Sequence, residues 1–142
     1  ELSNPGHDYG YRAFPNAQIE TLIELTNGIL ERHPIPARNV VAHSDIAPSR
    51  KIDPGELFPW GQLAANGIGV WPGQVSAAVS EQDAAQTLQA IGYDVAENKF
   101  KTVLSAFQRR FRPACFDGVL DHETRSCIAA VHELVAETPP TD

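Results

Sequence analysis

The chain has 142 residues, is 42% hydrophobic and carries 11 Lys and Arg against 18 Asp and Glu, giving a formal net charge of -7 and a pI near 5.1. That composition supports one ordinary domain or two small ones and excludes an intrinsically disordered chain. It also argues against a basic nucleic-acid surface, because phosphate binding needs clustered Lys and Arg and the largest local cluster is Arg109, Arg110 and Arg112. No run approaches the ~20 apolar residues that span a bilayer. The chain contains no methionine and starts "ELSNPG", which predicts that further sequence precedes Glu1.

Residues 4–12, "NPGHDYGYR", combine two glycines with an Asn-Pro step and read as an irregular loop. Pro15 suits a first helical turn, and Ile19, Leu22, Ile23, Thr26, Ile29 and Leu30 recur at three- and four-residue spacing, predicting a helix from Pro15 to Arg32. "HPIPAR" stops it, since each proline disfavours a helical conformation in the residue before it. "NVVAH" is short, apolar and β-branched, and predicts a buried strand ending at His43.

The following stretch, "HSDIAPSRKIDPGELFPW", crowds charged and turn-forming residues at the carboxyl end of that strand, where α/β sheets gather functional loops. "GQLAANGIGVWPGQVSAAVS" then loses charge and gains small residues, which is linker composition and predicts a boundary near residues 72–80. Beyond it, Ser80 and Asp83 precede a helix carrying Ala84, Leu88 and Ile91 to a stop at Gly92. A second helix spans Phe100 to Phe111, with Val103, Leu104, Phe107 and Phe111 inward. After the turn in "CFDGVLD", Asp121 caps a third helix with Thr124, Ile128, Val131 and Leu134 on its inner side. Cys115 and Cys127 are too few for a disulfide scaffold, and their pairing is left open.

His43 and Asp53 are of ligand type for zinc, but a spacing of ten residues across a loop is a weak signal, and a histidine at a strand end is more often structural or solvent-facing. The longer string decides more. "HSDIAPSRKIDPGELFPW", with "NPGHDYGYRAFPNAQI" before it, resembles the signature of the type 2 N-acetylmuramoyl-L-alanine amidases, zinc-dependent peptidoglycan amidases. The resemblance implies that His43 and Asp53 bind Zn2+, that Lys51 stabilises the transition state, and that Glu1, ending an "EL" strand, is the general acid/base. The family's other zinc-binding histidine is expected upstream of Glu1, so the chain by itself is expected to bind zinc poorly and to be inactive.

The implied fold is the C-terminal portion of an α/β amidase domain, a mixed sheet flanked by helices, over residues 1–72, joined by a linker at 73–79 to a small all-α three-helix domain at 80–136, with a disordered tail at 137–142. "LQAIGY", "VLSAFQRRFRP" and "DGVLDHETRSCI" make that second part similar to a peptidoglycan-binding domain, with Tyr93, Gln108 and Arg109 expected at its substrate-binding surface. The partners implied are peptidoglycan or muropeptides, with no nucleic acid and no membrane span, in a periplasmic or outer-membrane-associated protein of cell-wall turnover. The alternative is a non-catalytic peptidoglycan-binding protein with an amidase-like fold, and the retention of His43, Lys51 and Asp53 favours the enzyme.

Overall fold

The computed structural model describes residues 2–73, 77–96 and 98–137. Six α-helices run through them in the order α1 (Asn16–Arg32), α2 (His43–Ile46), α3 (Trp60–Ala65), α4 (Ala84–Ile91), α5 (Phe100–Phe111) and α6 (His122–Glu137), with short 3-10 turns at His7–Tyr9 and Ala37–Asn39. None of these helices is long and apolar enough to cross a membrane. The expected tail at 137–142 lies outside the described residues except for Glu137, which ends α6.

The expected mixed sheet is corrected: the described residues are helical and contain no strand. The cause is visible in the segment read as a strand. Val40 and Ala42 do have extended backbone, but a strand needs a neighbour to take its N–H groups, and here they are used locally. Asn39 N–H bonds to Pro36 O, Val40 N–H to Ala37 O and Ala42 N–H to the Asp45 carboxylate. β-Branched apolar composition marks a half-buried extended run, not a ladder. The segment after Trp60 also departs from linker composition, since α3 forms there to bury Trp60 and Leu63 and ends at Asn66 and Gly67.

The core has two clusters. One gathers Phe14, Ile19, Phe58, Trp60, Leu63 and Ile68, and the other Leu88, Val103, Leu104, Phe107, Ile128 and Val131, with Trp71 packed against both. In the second, α4 lies along α6. Gly92 closes α4 at φ 122°, a backbone conformation L side chains rarely adopt. Cys127 is a buried free thiol whose burial pushes its pKa up to about 12, and Cys115 is also unpaired.

Asp121 caps α6: its Oδ1 accepts the Thr124 N–H at 2.8 Å, and Arg112 Nη1 stands 2.9 Å from its Oδ2. Hydrogen bonds from Thr124, with Arg112 beside them, hold the Asp121 carboxyl below its ordinary value. A lowered folded pKa means that the contribution is complete above the ordinary carboxyl value of 3.8 and is lost as pH falls through the folded value. Asp121→Ala is expected to cost about 1 kcal/mol of stability at neutral pH. The deficit should shrink in acid, as followed by denaturant unfolding at several pH values.

Candidate active site

His43 opens α2 and Asp53 lies in the loop that returns beneath it. The two segments are tied by a backbone bond from Ser44 N–H to Asp53 O at 3.2 Å. This brings His43 Nδ1 within 2.6 Å of Asp53 Oδ2, with both side chains more than half exposed. Lys51 stands two residues before Asp53, its N–H bonded to Ala47 O and its side chain in solvent. The structure thus brings His43 and Asp53 into contact and sets Lys51 on the same exposed loop. Glu1, the expected acid/base, lies outside the described residues.

The remainder of the loop is strapped down. Its turn passes through a cis Asp53–Pro54 peptide, after which the Tyr11 hydroxyl donates to Pro54 O at 2.8 Å and accepts the Leu57 N–H at 2.9 Å. Burial holds the Tyr11 phenol above its ordinary pKa, so it remains a donor. Gly55 sits between these bonds at φ 90°, and a Cβ there would run into the Tyr11 ring and hydroxyl. His7 stacks on Tyr11 with ring centroids 4.1 Å apart and bonds Glu56 through Nε2 at 3.0 Å. Arg109 Nε, from α5, stands 3.8 Å from Glu56 Oε2, a charge contact rather than a hydrogen bond, while its guanidinium lies 5.0 Å over the Phe116 ring.

The His43 segment is held by a buried network. Asp45, 6% exposed, accepts Ala42 N–H, the Tyr93 hydroxyl at 2.6 Å and Arg110 Nη1 at 2.5 Å. Arg110 Nη2 also donates to Val40 O at 3.1 Å, and its guanidinium lies 3.9 Å over the Trp60 ring. Burial first, then the adjacent Asp45 carboxylate, keeps the Tyr93 phenol far above its ordinary pKa.

Tyr93, Gln108 and Arg109 do not share one surface. Tyr93 is committed to Asp45, and Gln108 is fully buried, bonding Val119 O, Thr124 Oγ1 and Gly118 N–H. Arg109 is turned to Glu56 and Phe116. Asp45, Tyr11 and Glu56 were not singled out from sequence, and Arg110 was named only as part of the arginine cluster. Arg110 left one signal: it falls seven residues after Val103 and three after Phe107, on the inward stripe of α5.

As a metal site, His43 and Asp53 fit in part. An imidazole nitrogen and a carboxylate oxygen already within hydrogen-bonding distance are the donors zinc takes, and they supply two positions. Among the described residues no third His, Cys, Asp or Glu joins them.

An exposed histidine–aspartate pair beside a lysine, on a loop braced by a helical scaffold, is the kind of cluster hydrolases present to a substrate. Residues 1–56 match the family model described as N-acetylmuramoyl-L-alanine amidase, and this segment belongs to that family. The likeness continues beyond it. The chain is 41% identical over 138 residues to N-acetylmuramoyl-L-alanine amidase AmiD of Escherichia coli (strain K12), covering 87% of this chain and 50% of the relative. A solved complex of the E. coli AmiD with the substrate anhydro-N-acetylmuramic acid-L-Ala-D-gamma-Glu-L-Lys superposes with TM-score 0.79 at 39% identity, over 88% of this chain and 55% of that one. The crystal structure of AmpDh3 from Pseudomonas aeruginosa gives TM-score 0.81 at 33% identity over 88% and 56%. The chain therefore spans about half the length of the relatives it matches along most of its own.

Proposed function

We propose that the protein hydrolyses the amide bond between the lactyl group of N-acetylmuramic acid and L-alanine in peptidoglycan or muropeptides, as part of cell-wall turnover. The observation that carries this is the exposed His43–Asp53 contact with Lys51 beside it, inside the segment that matches the amidase family. The AmiD complex with an anhydromuramoyl peptide supports the same class of substrate.

On this proposal His43 and Asp53 would hold a Zn2+ ion, which when bound supplies Lewis acidity and lowers the pKa of a water. Lys51 presents a point positive charge to the oxygen that becomes negative when the lactyl carbonyl is attacked, a task that suits a compact ammonium. Glu1 would take the proton from the attacking water and return it to the L-alanine nitrogen as the C–N bond breaks. The products are a muramic sugar carboxylate and a free stem peptide. Helices α4–α6 would contribute wall binding, and a periplasmic or outer-membrane-associated location would follow from that substrate.

The direct test is digestion of a muropeptide with an intact muramoyl–alanine bond by the complete protein. Mass spectrometry should find free stem peptide, and uncleaved muropeptide bound without turnover would move the assignment to a non-catalytic wall binder.

A further inference from the structure

Two consecutive arginines of α5 reach the two segments that carry the histidine–aspartate pair. Arg110 grips the stretch around His43 from both sides, through Val40 O and through Asp45 Oδ2, and Tyr93 adds a second side-chain donor to Asp45. Arg109 meets Glu56, three residues past Asp53, on the turn that Tyr11 and His7 already fix. All four side chains of these pairs are largely withdrawn from solvent, at 3% and 6% for Arg110 and Asp45 and 15% and 19% for Arg109 and Glu56. Removing one member of a pair this withdrawn from water leaves a charge short of both solvent and partner, which the loss of a surface ion pair does not.

We infer that Arg109, Arg110 and Tyr93 are positioning residues: the C-terminal helices set the relative placement of His43 and Asp53, in addition to any hold they have on the wall. What the two placed residues do rests on the amidase proposal; the placement itself does not. A module that served only as an anchor would have no need to thread a buried arginine between Val40 and Asp45, where a wrongly made contact leaves an unpaired charge.

The test is amide hydrogen exchange on the complete, metal-free protein, with the Ile128 amide, deep in α6, as internal reference. Tyr93→Phe and Arg110→Lys should speed exchange at Ala42 and Ser44 by about tenfold relative to Ile128, the scale of one lost hydrogen bond. Arg109→Gln, which removes a charge contact rather than a hydrogen bond, should speed exchange at Leu57 and Phe58 by about two- to fivefold. Arg112→Gln, whose ion pairs with Asp121 and Glu123 stay within the C-terminal helices, should move none of these four. A parallel zinc competition titration should show affinity lowered about 10–100-fold in the first three variants and unchanged in the fourth.

Tyr93→Phe and Arg109→Gln keep the test decisive if Arg110→Lys does not fold. Exchange at Ala42, Ser44, Leu57 and Phe58 that tracks Ile128 in both would overturn the inference. A wild-type protein that neither binds zinc nor cleaves muropeptide would instead overturn the amidase proposal, and the exchange result would still decide the coupling.

Discussion

Lys51→Ala in the complete protein is expected to lower kcat by about 10²–10³-fold with little change in KM, because an ammonium facing a developing oxyanion acts on the transition state far more than on the bound substrate. Lys51 is suited to show this cleanly. Its side chain is exposed, so its removal leaves no cavity and no buried partner. Thermal unfolding of the variant should match wild type, which separates the loss from misfolding. Asp53→Asn should be at least as damaging, and its signature differs. Asparagine keeps the size but loses the negative charge that faces His43 and any cation the pair holds, so metal content and turnover should fall together. Steady-state kinetics on a defined muropeptide, with metal analysis of the same samples, checks both variants.

The largest expected effect on stability lies elsewhere. Asp45→Ala strips the carboxylate from Arg110 and leaves a guanidinium that is 3% exposed facing only the Trp60 and Phe111 rings and the Val40 carbonyl. Breaking a buried pair from one side costs about 3–5 kcal/mol, because the surviving charge has lost both water and partner. Tyr93 loses its acceptor in the same step, and Ala42 N–H is orphaned. The double replacement Asp45→Leu with Arg110→Met should recover much of that loss, since an apolar pair of similar volume carries no desolvation penalty. Denaturant unfolding would measure both. Recovery of stability without recovery of zinc affinity would show that the pair matters more for placement than for holding the fold.

The four longer helices, α1 and α4 to α6, were legible for local reasons. Proline at the entry of α1, the apolar period along α5, Gly92 after α4 and Asp121 before α6 each act within a few residues, so the chain displays them directly. His43, Lys51 and Asp53 were legible because one continuous string carries them. The sheet was misread because Val40 and Ala42 look the same whether their backbone meets a neighbouring strand or, as here, a local turn and a carboxylate. The network behind the site was hidden for another reason. Asp45 and Arg110 lie 65 residues apart, Tyr93 and Asp45 48, and no local pattern links positions so distant. Arg109 was read as a substrate-binding residue and Arg110 only as a member of a basic cluster, although the helical period had put Arg110 on the inward face.

Gly55 carries a consequence for anyone who would transplant or redesign this loop. Its missing β-carbon is what lets the Tyr11 phenol bridge the backbone on either side, so the loop and the aromatic residue some forty positions before it form one inseparable part. Grafted without Tyr11, the segment would keep every residue of its string and lose the clasp that gives the string its shape; moved together, the two should travel as a unit.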